Sequence, residues 1–321
     1  MGQAPCDNSN FISNSLSFSL LTTADTDLHK TLQKFWQQEE PPLYSNKSEK
    51  VELCERHFME THYRELDGRY VVKLPFRRDH PPLGASKEIA NRRFHALEHK
   101  FLTQPHFRDL YCQFMSNYLA EGHMEKVSSV DTSQPHYFIP HHGVLKDNSS
   151  TTKLRTVFDA SAKTSTGISL NDILLTGRKL QLNVCDIIIQ FRMHNIVFTC
   201  DIRQMYRQIK LSPEDQTHQL ILWRDNSTQK INVYKLSTVT YGISSSPYLA
   251  IRTLAQLAQD EGAAFPEAAK ILTSQAYVDD IITGSTDEES ALQLQEQLIA
   301  FLKRGGFELR KWLLNFFKRY Q

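Results

Sequence analysis

The feature that most constrains this chain is a pair of adjacent aspartates, Asp279 and Asp280, between two short apolar runs. The runs, Ile271 to Val278 and Ile281 to Gly284, predict two β-strands joined by a tight turn that carries the acidic pair. Adjacent carboxylates repel each other, and a site that keeps both ionised usually has a cation nearby. Oxygen ligands of this kind favour a hard divalent metal such as Mg²⁺. An exposed Asp-Asp turn in an ordinary hairpin explains the same residues, because aspartate is a common turn former.

Charge is unevenly distributed around this pair. Residues 271–300 contain six acidic and no basic residues, whereas residues 301–321 contain six basic residues and one acidic residue. The net charge of the whole chain is only +1, so overall charge does not indicate a nucleic-acid partner. An acidic patch beside a basic segment suits metal ions next to a polyanion. Ordinary charged surface produces the same fluctuation.

A third acidic residue follows a strongly apolar segment. Ile196 to Ile202 predicts a buried strand, and Asp201 lies at its C-terminal end. A carboxylate at the end of a buried strand is unusual unless it has a partner. The order of predicted elements from this strand onward is strand, helix, strand, helix, strand. That order indicates an α+β layer in which Asp201 can lie beside Asp279 and Asp280.

Further elements follow from apolar periodicity, caps and breakers. Helices are predicted at Asp27–Gln38, at Glu49–Tyr63, as two helices within Ser86–Gly122 that are separated by Pro105 and of which the first has Ser86 as cap, at Leu180–His194, at Ser246–Glu261 with Ser246 as cap, and from a capping box of Thr286 and Glu289 to Gly305. Strands are predicted at His136–Leu145, Lys153–Ala160, Met205–Leu211, Leu220–Trp223, Ile231–Leu236 and Phe307–Trp312. Basic residues at the predicted hairpin between residues 136 and 160 can grip phosphates, or they protect an ordinary edge strand. They are Lys146, Lys153 and Arg155.

The five cysteines are scattered and odd in number, which predicts free thiols in a reducing compartment rather than a disulfide framework. They are Cys6, Cys54, Cys112, Cys185 and Cys200. No apolar run approaches the length of a membrane span, and the N-terminus has no basic start followed by an apolar segment. We therefore expect an intracellular, cytoplasmic protein without a membrane partner.

From about His136 to Trp312 the chain resembles a reverse transcriptase, most closely the polymerase of Pao/BEL-type LTR retrotransposons. Each motif alone is weak, but their order strengthens the resemblance. The blocks that carry it are Leu154–Ser161, Phe198–Tyr206, Tyr241–Pro247, Tyr277–Asp280 and Phe307–Trp312. Phe35–Glu40 is similar to the connector that precedes the polymerase in this family.

The resemblance implies a fold and a division of the chain. The fold is α+β, the fingers and palm of a right-hand polymerase, with an antiparallel palm sheet backed by helices and no thumb. The segments are a connector or partly disordered N-terminal extension at 1–60, fingers at 61–175, a first part of the palm at 176–210, a fingers insertion at 211–240, and a second part of the palm at 241–321 that ends near the primer grip. A thumb, an RNase H domain and an integrase are expected downstream in a polyprotein and are absent from this sequence.

The resemblance also implies an activity, that of an RNA-directed DNA polymerase. Such an enzyme joins a deoxynucleotide to a primer 3′-hydroxyl on an RNA or DNA template, with two Mg²⁺ ions, Mn²⁺ being an alternative. Asp201 and Asp279 would share the metal ions with the backbone of Ile202, and Asp280 completes the catalytic triad. We expect a primer-template and deoxynucleotides as partners, and a virus-like particle as a possible location.

The remaining site residues are assigned by the same resemblance. Arg155, with Lys146 or Lys153, would neutralise the β- and γ-phosphates, and Tyr206 would pack under the sugar and exclude a 2′-hydroxyl. The other candidates for nucleotide binding are Arg203, Gln204, Met205, Tyr241 and Gly242. Candidates for primer and template contact are Tyr277, Val278, Arg310 and Trp312. Tyr241 stands where many retroviral relatives have glutamine, which leaves the contacts of that glutamine in question.

Two alternatives stay open. An RNA-dependent RNA polymerase has the same palm architecture, although a bulky Tyr206 under the sugar argues against it. A catalytically silent remnant that binds nucleic acid or protein is favoured by the expected absence of a thumb, because phosphate contacts supply most of the affinity for duplex. The retention of Asp201, Asp279, Asp280 and Arg155 argues against long decay.

Overall fold

The structure is a computed structural model that describes residues 49–145 and 154–315. The helix predicted at Asp27–Gln38 lies outside these residues, and so do Lys146 and Lys153. No helix among the described residues is long and apolar enough to cross a membrane. Four of the cysteines lie in the described ranges, and each is a free thiol.

Helices and strands are mixed along the described chain. The helices are α1 (Glu49–Thr61), α2 (Lys87–Thr103), α3 (Pro105–Ala120), α4 (Leu170–Ile173), α5 (Val184–Phe191), α6 (Met205–Gln208), α7 (Ser246–Glu261), α8 (Pro266–Ser274) and α9 (Glu288–Arg304), with a 3₁₀-helix at Asp215–Gln219. The strands are β1 (Tyr63–Arg64), β2 (Tyr70–Val72), β3 (Met124–Val127), β4 (His141–Leu145), β5 (Leu154–Phe158), β6 (Ile196–Ile202), β7 (Lys210–Leu211), β8 (Leu220–Trp223), β9 (Asn232–Leu236), β10 (Ala276–Tyr277), β11 (Asp280–Ser285) and β12 (Leu309–Leu314).

The strands form small sheets whose pairing is antiparallel except between β2 and β7. The four-stranded sheet has the order β10-β11-β6-β12, and the others have the orders β1-β2-β7, β3-β9-β8 and β4-β5. This mixed architecture with antiparallel sheets agrees with the predicted α+β class. The four-stranded sheet carries the acidic residues singled out above.

Alternation along β6 explains why this strand lies at the centre of its sheet. Phe198, Cys200 and Ile202 are buried, while the intervening residues are half-buried. Side chains on a strand point to opposite faces in turn, so the buried set faces one packed layer. The predicted strand Ile196–Ile202 is therefore confirmed with the same bounds.

Helices α7, α8 and α9 pack together, and α9 contacts both β11 and β6. The apolar face of α9 is buried and includes Ala291, Leu298, Phe301 and Leu302. The predicted cap was wrong by one residue, because the Asp287 carboxylate accepts the hydrogen bond from the Ser290 amide. A carboxylate at the N-cap is favoured by the unpaired amides of the first turn. Ser245 likewise replaces Ser246 as the N-cap residue of α7.

Two predicted strands near the acidic site are partly helical. Residues 271–274 belong to α8, which begins at Pro266, so the strand before the acidic turn is only Ala276–Tyr277. Residues 205–208 form α6 before the short strand β7. Short apolar runs do not distinguish a strand from a buried helix, and proline at the first turn of α8 favours the helix.

The hairpin of β4 and β5 is confirmed, although β4 begins at His141 and not at His136. Phe138, before β4, pairs with Leu220 through an isolated bridge. Ser86 was predicted to cap α2, but its hydroxyl accepts the Phe138 amide at 2.8 Å. The serine therefore joins the start of α2 to this extended segment.

Candidate active site

Three carboxylates lie at one end of the four-stranded sheet. Asp280, the first residue of β11, is the antiparallel partner of Asp201 on β6. The Asp279 carbonyl accepts the Ile202 amide at 2.7 Å, which fixes the acidic turn against the end of β6. The neighbouring strands predicted for these aspartates are therefore adjacent, although Asp279 comes 78 positions after Asp201 in the sequence.

Two basic side chains from β12 lie on Asp201. The Arg310 Nε donates a hydrogen bond of 2.6 Å to one carboxylate oxygen, and the Lys311 Nζ lies 3.7 Å from the other. The Asp201 side chain is 15% exposed, whereas the Arg310 side chain is 41% exposed. Asp201 is therefore the least exposed of the three side chains, and its charge is balanced by Arg310 and Lys311 from the neighbouring strand β12.

Burial raises the pKa of Asp279, and the nearby Asp201 charge raises it further. Partial burial also raises the pKa of Asp280, with contributions from the charges of Asp279 and Asp201. Burial raises the pKa of the neighbouring Cys200 thiol to about 12, so this cysteine is a neutral packing residue. The turn thus concentrates negative charge that the nearby charges of Arg310 and Lys311 offset only in part, and an added cation would relieve it.

The donor chemistry of the site fits a hard divalent cation, because carboxylate oxygens are the ligands that Mg²⁺ prefers. Within residues 49–145 and 154–315, no group of three His, Cys, Asp or Glu side chains is arranged to hold a metal ion. Arg310 and Lys311 already form ion pairs with Asp201 and balance its charge. A metal bound by Asp201 would therefore have to exchange with these two cations.

The loop after β6 contains the predicted nucleotide-binding residues Arg203, Gln204, Met205 and Tyr206. Gln204 has a φ of 49°, in the left-handed region, and starts α6. Its side-chain oxygen lies 3.3 Å from the ring Nε2 of buried His123. Arg203 pairs with Glu308 at 2.8 Å, which ties this loop to the start of β12. Met205 is buried, so any contribution that it makes to a ligand comes from its backbone.

Two tyrosines lie near the loop. Tyr206 is half-buried, and burial together with the charge of Asp279 raises its pKa. Tyr241 packs against Phe158, with ring centroids 5.4 Å apart. Burial raises the pKa of Tyr241 as well, and the nearby charges of Arg207 and Arg155 oppose that shift. Both hydroxyls are therefore neutral at physiological pH.

Gly242 adopts a φ of +95°, and a Cβ added there would lie 2.0 Å from the Phe158 carbonyl oxygen. Only glycine fits so close an approach without displacing the backbone. The amide of Asn171 donates to the Gly242 carbonyl at 3.1 Å. The segment Tyr241–Gly242 is therefore held against the end of β5, the strand that carries Arg155.

The predicted primer and template residues have different surroundings. Tyr277 and Val278 are half-buried in the acidic hairpin, and Arg310 contacts Asp201. Trp312 lies over Phe198, with ring centroids 5.7 Å apart. This contact gives Trp312 a packing role on β6. Arg155 is exposed on β5.

Backbone strain is concentrated at this site. Among the described residues other than glycine, positive φ occurs at Gln204, Val278 and Lys311. Gln204 lies three residues after Asp201, and Val278 lies immediately before Asp279. The Lys311 Nζ lies 3.7 Å from the Asp201 carboxylate. Such conformations cost about 1–3 kcal/mol each and persist where surrounding contacts hold them. Three segments that carry or contact the carboxylates are thus held in unfavourable conformations.

Several supporting residues were not foreseen from the sequence. They are Glu121, His123, Asn171, Gln181 and Glu308, whose side chains contact the site loops. Each acts across more than 70 residues of sequence or from a separate element, so no local pattern marks them. The basic segment 301–321 includes Lys311 and indicated positive charge near the site. The contact of Lys311 with Asp201, however, depends on the path of β12.

A family model described as reverse transcriptase (RNA-dependent DNA polymerase) matches residues 147–312, slightly more than half of the 321 residues. The matched range contains the three carboxylates, the loop after β6 and the segment Tyr241–Gly242. No curated protein sequence gives a significant match to the chain.

Proposed function

The chain belongs to the reverse transcriptase (RNA-dependent DNA polymerase) family, and on that premise we propose that it extends a primer with deoxynucleotides on an RNA or DNA template. The observation that carries the proposal is the pairing of Asp201 with Asp280 on neighbouring strands, with Asp279 in the turn beside them. Nucleotide addition needs carboxylates held together on a rigid element. The ends of β6 and β11 meet that need.

Divalent metal ions are general in this family, and we assign Asp201 and Asp279 as their ligands, with the Ile202 carbonyl and Asp280 beside them. Two bound Mg²⁺ ions, or Mn²⁺ in their place, supply stabilisation of the charge on the attacking and leaving oxygens. The protein's own contribution is a negatively charged turn in which Asp279 is half-buried and Asp280 exposed, and whose carboxyl pKa values are raised in the absence of a cation. Arg310 and Lys311 hold Asp201 until it takes a metal.

The nucleotide is assigned to the space between the acidic turn and β5. The exposed Arg155 is suited to bind phosphate oxygens in a bidentate manner, with help from Lys146 or Lys153. Backbone amides at Gln204–Tyr206 add donors, whereas the Arg203 amide already donates to the Glu308 carbonyl at 2.8 Å. The Tyr206 ring is assigned under the sugar, where its bulk excludes a 2′-hydroxyl. Tyr241–Gly242 supplies the surface beneath the templating pair.

We propose further that the chain is the fingers and palm of a Pao-type retrotransposon polymerase. The five motif blocks and the connector-like Phe35–Glu40 support this subtype. The proposed fingers are residues 61–175 and 211–240, and the proposed palm is residues 176–210 and 241–321, preceded by the connector at 1–60. An intracellular, cytoplasmic location, inside a virus-like particle or free, belongs to the same proposal.

Primer extension tests the function. The full chain is incubated with an RNA template, a labelled DNA primer, Mg²⁺ and either deoxynucleotides or ribonucleotides, and Asp279→Asn is run in parallel. Extension with deoxynucleotides that the variant abolishes is the expected result. Extension only with ribonucleotides would instead identify an RNA-dependent RNA polymerase. Equal signals from both proteins would mean that Asp279 has no catalytic role.

A second candidate function, a catalytically silent nucleic-acid-binding chain, is favoured by one observation. Asp201 is fully engaged with Arg310 and Lys311, an arrangement that also suits a carboxylate with a purely structural role. This candidate predicts that the chain shifts a labelled primer-template in a gel without extending it. It also predicts that Asp279→Asn leaves that binding unchanged.

A further inference from the structure

We propose that Gln181 is a positioning residue that holds the acidic turn in its working conformation. The proposal rests on the function proposed above and adds to it a residue outside the motif blocks. Gln181 lies in the segment before α5, about 20 residues before Asp201 in sequence. It does not touch the carboxylates and acts through the backbone of Val278.

The turn that carries Asp279 has an unfavourable first residue. Tyr277 pairs with Asp280, so the turn consists of Val278 and Asp279. Val278 has a φ of 57°, whereas Asp279 does not have positive φ. A positive φ at the first position alone is the pattern of a type II′ turn, which favours glycine there. A β-branched valine in this place is strained and needs contacts that hold it.

Gln181 makes such a contact. Its side-chain oxygen accepts the Val278 amide at 3.0 Å. In a two-residue hairpin the amide of the first turn residue has no partner across the strands, so without Gln181 this half-buried donor would be unsatisfied. The hydrogen bond thus fixes the peptide plane that leads directly into Asp279.

The surroundings of Gln181 and Val278 are mostly apolar. Gln181 and Val278 both line a cavity of about 130 Å³ between the segment before α5 and helices α7 and α8. The rest of its lining is largely apolar and includes Leu180, Leu182, Leu254 and Leu272. The Val278 side chain packs against the core in this region. The hydrogen bond from the Val278 amide to Gln181 and the packing of the Val278 side chain against the core therefore both hold the turn in place.

The consequence concerns catalysis more than folding. If the turn relaxes, Asp279 and Asp280 move relative to Asp201, and metal affinity and the chemical step suffer. The affinity for the nucleotide, which we assign to other loops, changes little. Loss of Gln181 should therefore lower kcat and raise the Mg²⁺ concentration needed for half-maximal rate, with KM for the deoxynucleotide nearly constant.

The test compares Gln181→Leu, which removes the acceptor, with Gln181→Glu, which keeps an acceptor oxygen. Gln190→Leu, at an exposed position on α5, is the control. In primer extension, Gln181→Leu should lower kcat by about tenfold, the factor expected when one neutral hydrogen bond is lost at the transition state. Gln181→Glu should recover part of the rate, because it restores the acceptor but adds a negative charge beside the acidic turn, and the control should match the wild type.

A measurement that does not depend on activity completes the test. Hydrogen exchange of the Val278 amide, followed by mass spectrometry of the peptide that contains it, should accelerate in Gln181→Leu but not in Gln181→Glu. Unchanged exchange in Gln181→Leu, or a drop in kcat that simply follows a drop in thermal stability, would overturn the positioning role. An inactive wild-type chain would instead overturn the proposed function, and the exchange result alone would then decide the role of Gln181.

A double substitution tests the strain directly. Val278→Gly removes the β-branched side chain from the left-handed position, so the turn no longer needs the anchor to the same extent. In that background, Gln181→Leu should lower kcat by clearly less than it does beside Val278. Equal losses in the two backgrounds would show that Gln181 does not act through the strained turn.

Discussion

The Arg310 side chain donates a 2.6 Å hydrogen bond to the Asp201 carboxylate, across the pairing of β12 with β6. The register of these strands shifts between Arg310 and Leu313, and Lys311, inside the shift, has a left-handed φ of 55°. A β-bulge redirects side chains at the edge of a sheet. Here it brings two cations to Asp201, the carboxylate that we assign to metal binding, so the charge of Asp201 is balanced when no metal is bound.

This relationship predicts a competition between Arg310 and metal ions. Arg310→Gln should tighten Mn²⁺ binding about fivefold, because a partly exposed ion pair contributes about 1 kcal/mol that the metal must overcome. Arg203→Gln, which removes the pair with Glu308, is the control and should change the affinity little. Titration of Mn²⁺ followed by electron paramagnetic resonance measures both. Equal affinities for wild type and Arg310→Gln would argue against the competition.

The raised carboxyl pKa values predict an opposition between stability and activity. Asp279→Asn should abolish primer extension and yet stabilise the metal-free chain by about 1 kcal/mol, because it removes a charge disfavoured by burial and by Asp201. Urea unfolding in the presence of a chelator gives the free energy. Asp172→Asn is the contrasting variant, since the Lys163 side chain and the Ser169 amide lower the Asp172 pKa to about 2. It should destabilise the chain, and stabilisation by both substitutions would contradict the charge argument.

Tyr206 predicts the choice between deoxyribose and ribose. Tyr206→Val should raise the efficiency of ribonucleotide addition relative to deoxynucleotide addition by about tenfold or more, because space opens for a 2′-hydroxyl. The ratio of kcat/KM values for matched nucleotides measures the effect. Tyr234→Val, on β9, serves as a control for loss of a tyrosine. An unchanged ratio in Tyr206→Val would mean that another residue selects between deoxyribose and ribose.

Gly242 predicts a steric limit where the segment Tyr241–Gly242 approaches the end of β5. Gly242→Ala should destabilise the chain by about 2 kcal/mol or more, because the new methyl group would meet the Phe158 carbonyl oxygen at 2.0 Å. Gly167→Ala is matched in conformation, with a φ of +78°, but its methyl group would meet nothing within 4 Å. It should cost only the backbone strain of about 1 kcal/mol. Chemical unfolding distinguishes the two, and similar losses would remove the steric explanation.

Buried His141 predicts a dependence of stability on pH. Burial lowers its pKa to about 4, and the ring is satisfied in the neutral form by Tyr111 at 2.5 Å and the Leu222 carbonyl at 2.9 Å. Between pH 6.5 and pH 4 the unfolded chain binds a proton at this residue that the folded chain does not. Stability therefore falls as pH decreases through this window, by on the order of 2 kcal/mol between pH 7 and pH 5.

His141→Gln should reduce that fall, whereas His142→Gln, on the exposed side of the same strand, should leave it unchanged. Urea unfolding at pH 7 and pH 5 measures the difference for each variant. An equal fall in all three proteins would show that other groups, such as His218, carry the dependence. The burial of His218 lowers its pKa to about 4 as well.

The elements that the sequence predicted well are those with strong local causes. Ile196–Ile202 is a short, strongly apolar run rich in β-branched residues, which favours a strand, and the structure has a strand with those bounds. Ser246–Glu261 starts beside a proline and ends before a glycine, and the helix has those bounds as well. The strand predicted at residues 271–274 was wrong. A short apolar run fits the period of a strand or of a helix, and these residues belong to helix α8.

The sequence by itself determined the acidic pair, the third carboxylate on β6 and the family, because these depend on residue identity and order along one strand or turn. The tertiary structure alone decided which side chains satisfy and hold them. Arg310 reaches Asp201 from 109 residues away and Gln181 reaches Val278 from 97 residues away. The Arg310 contact depends on strand register and a β-bulge, and the Gln181 contact depends on where the segment before α5 meets the acidic turn. Neither leaves a periodic trace in the chain.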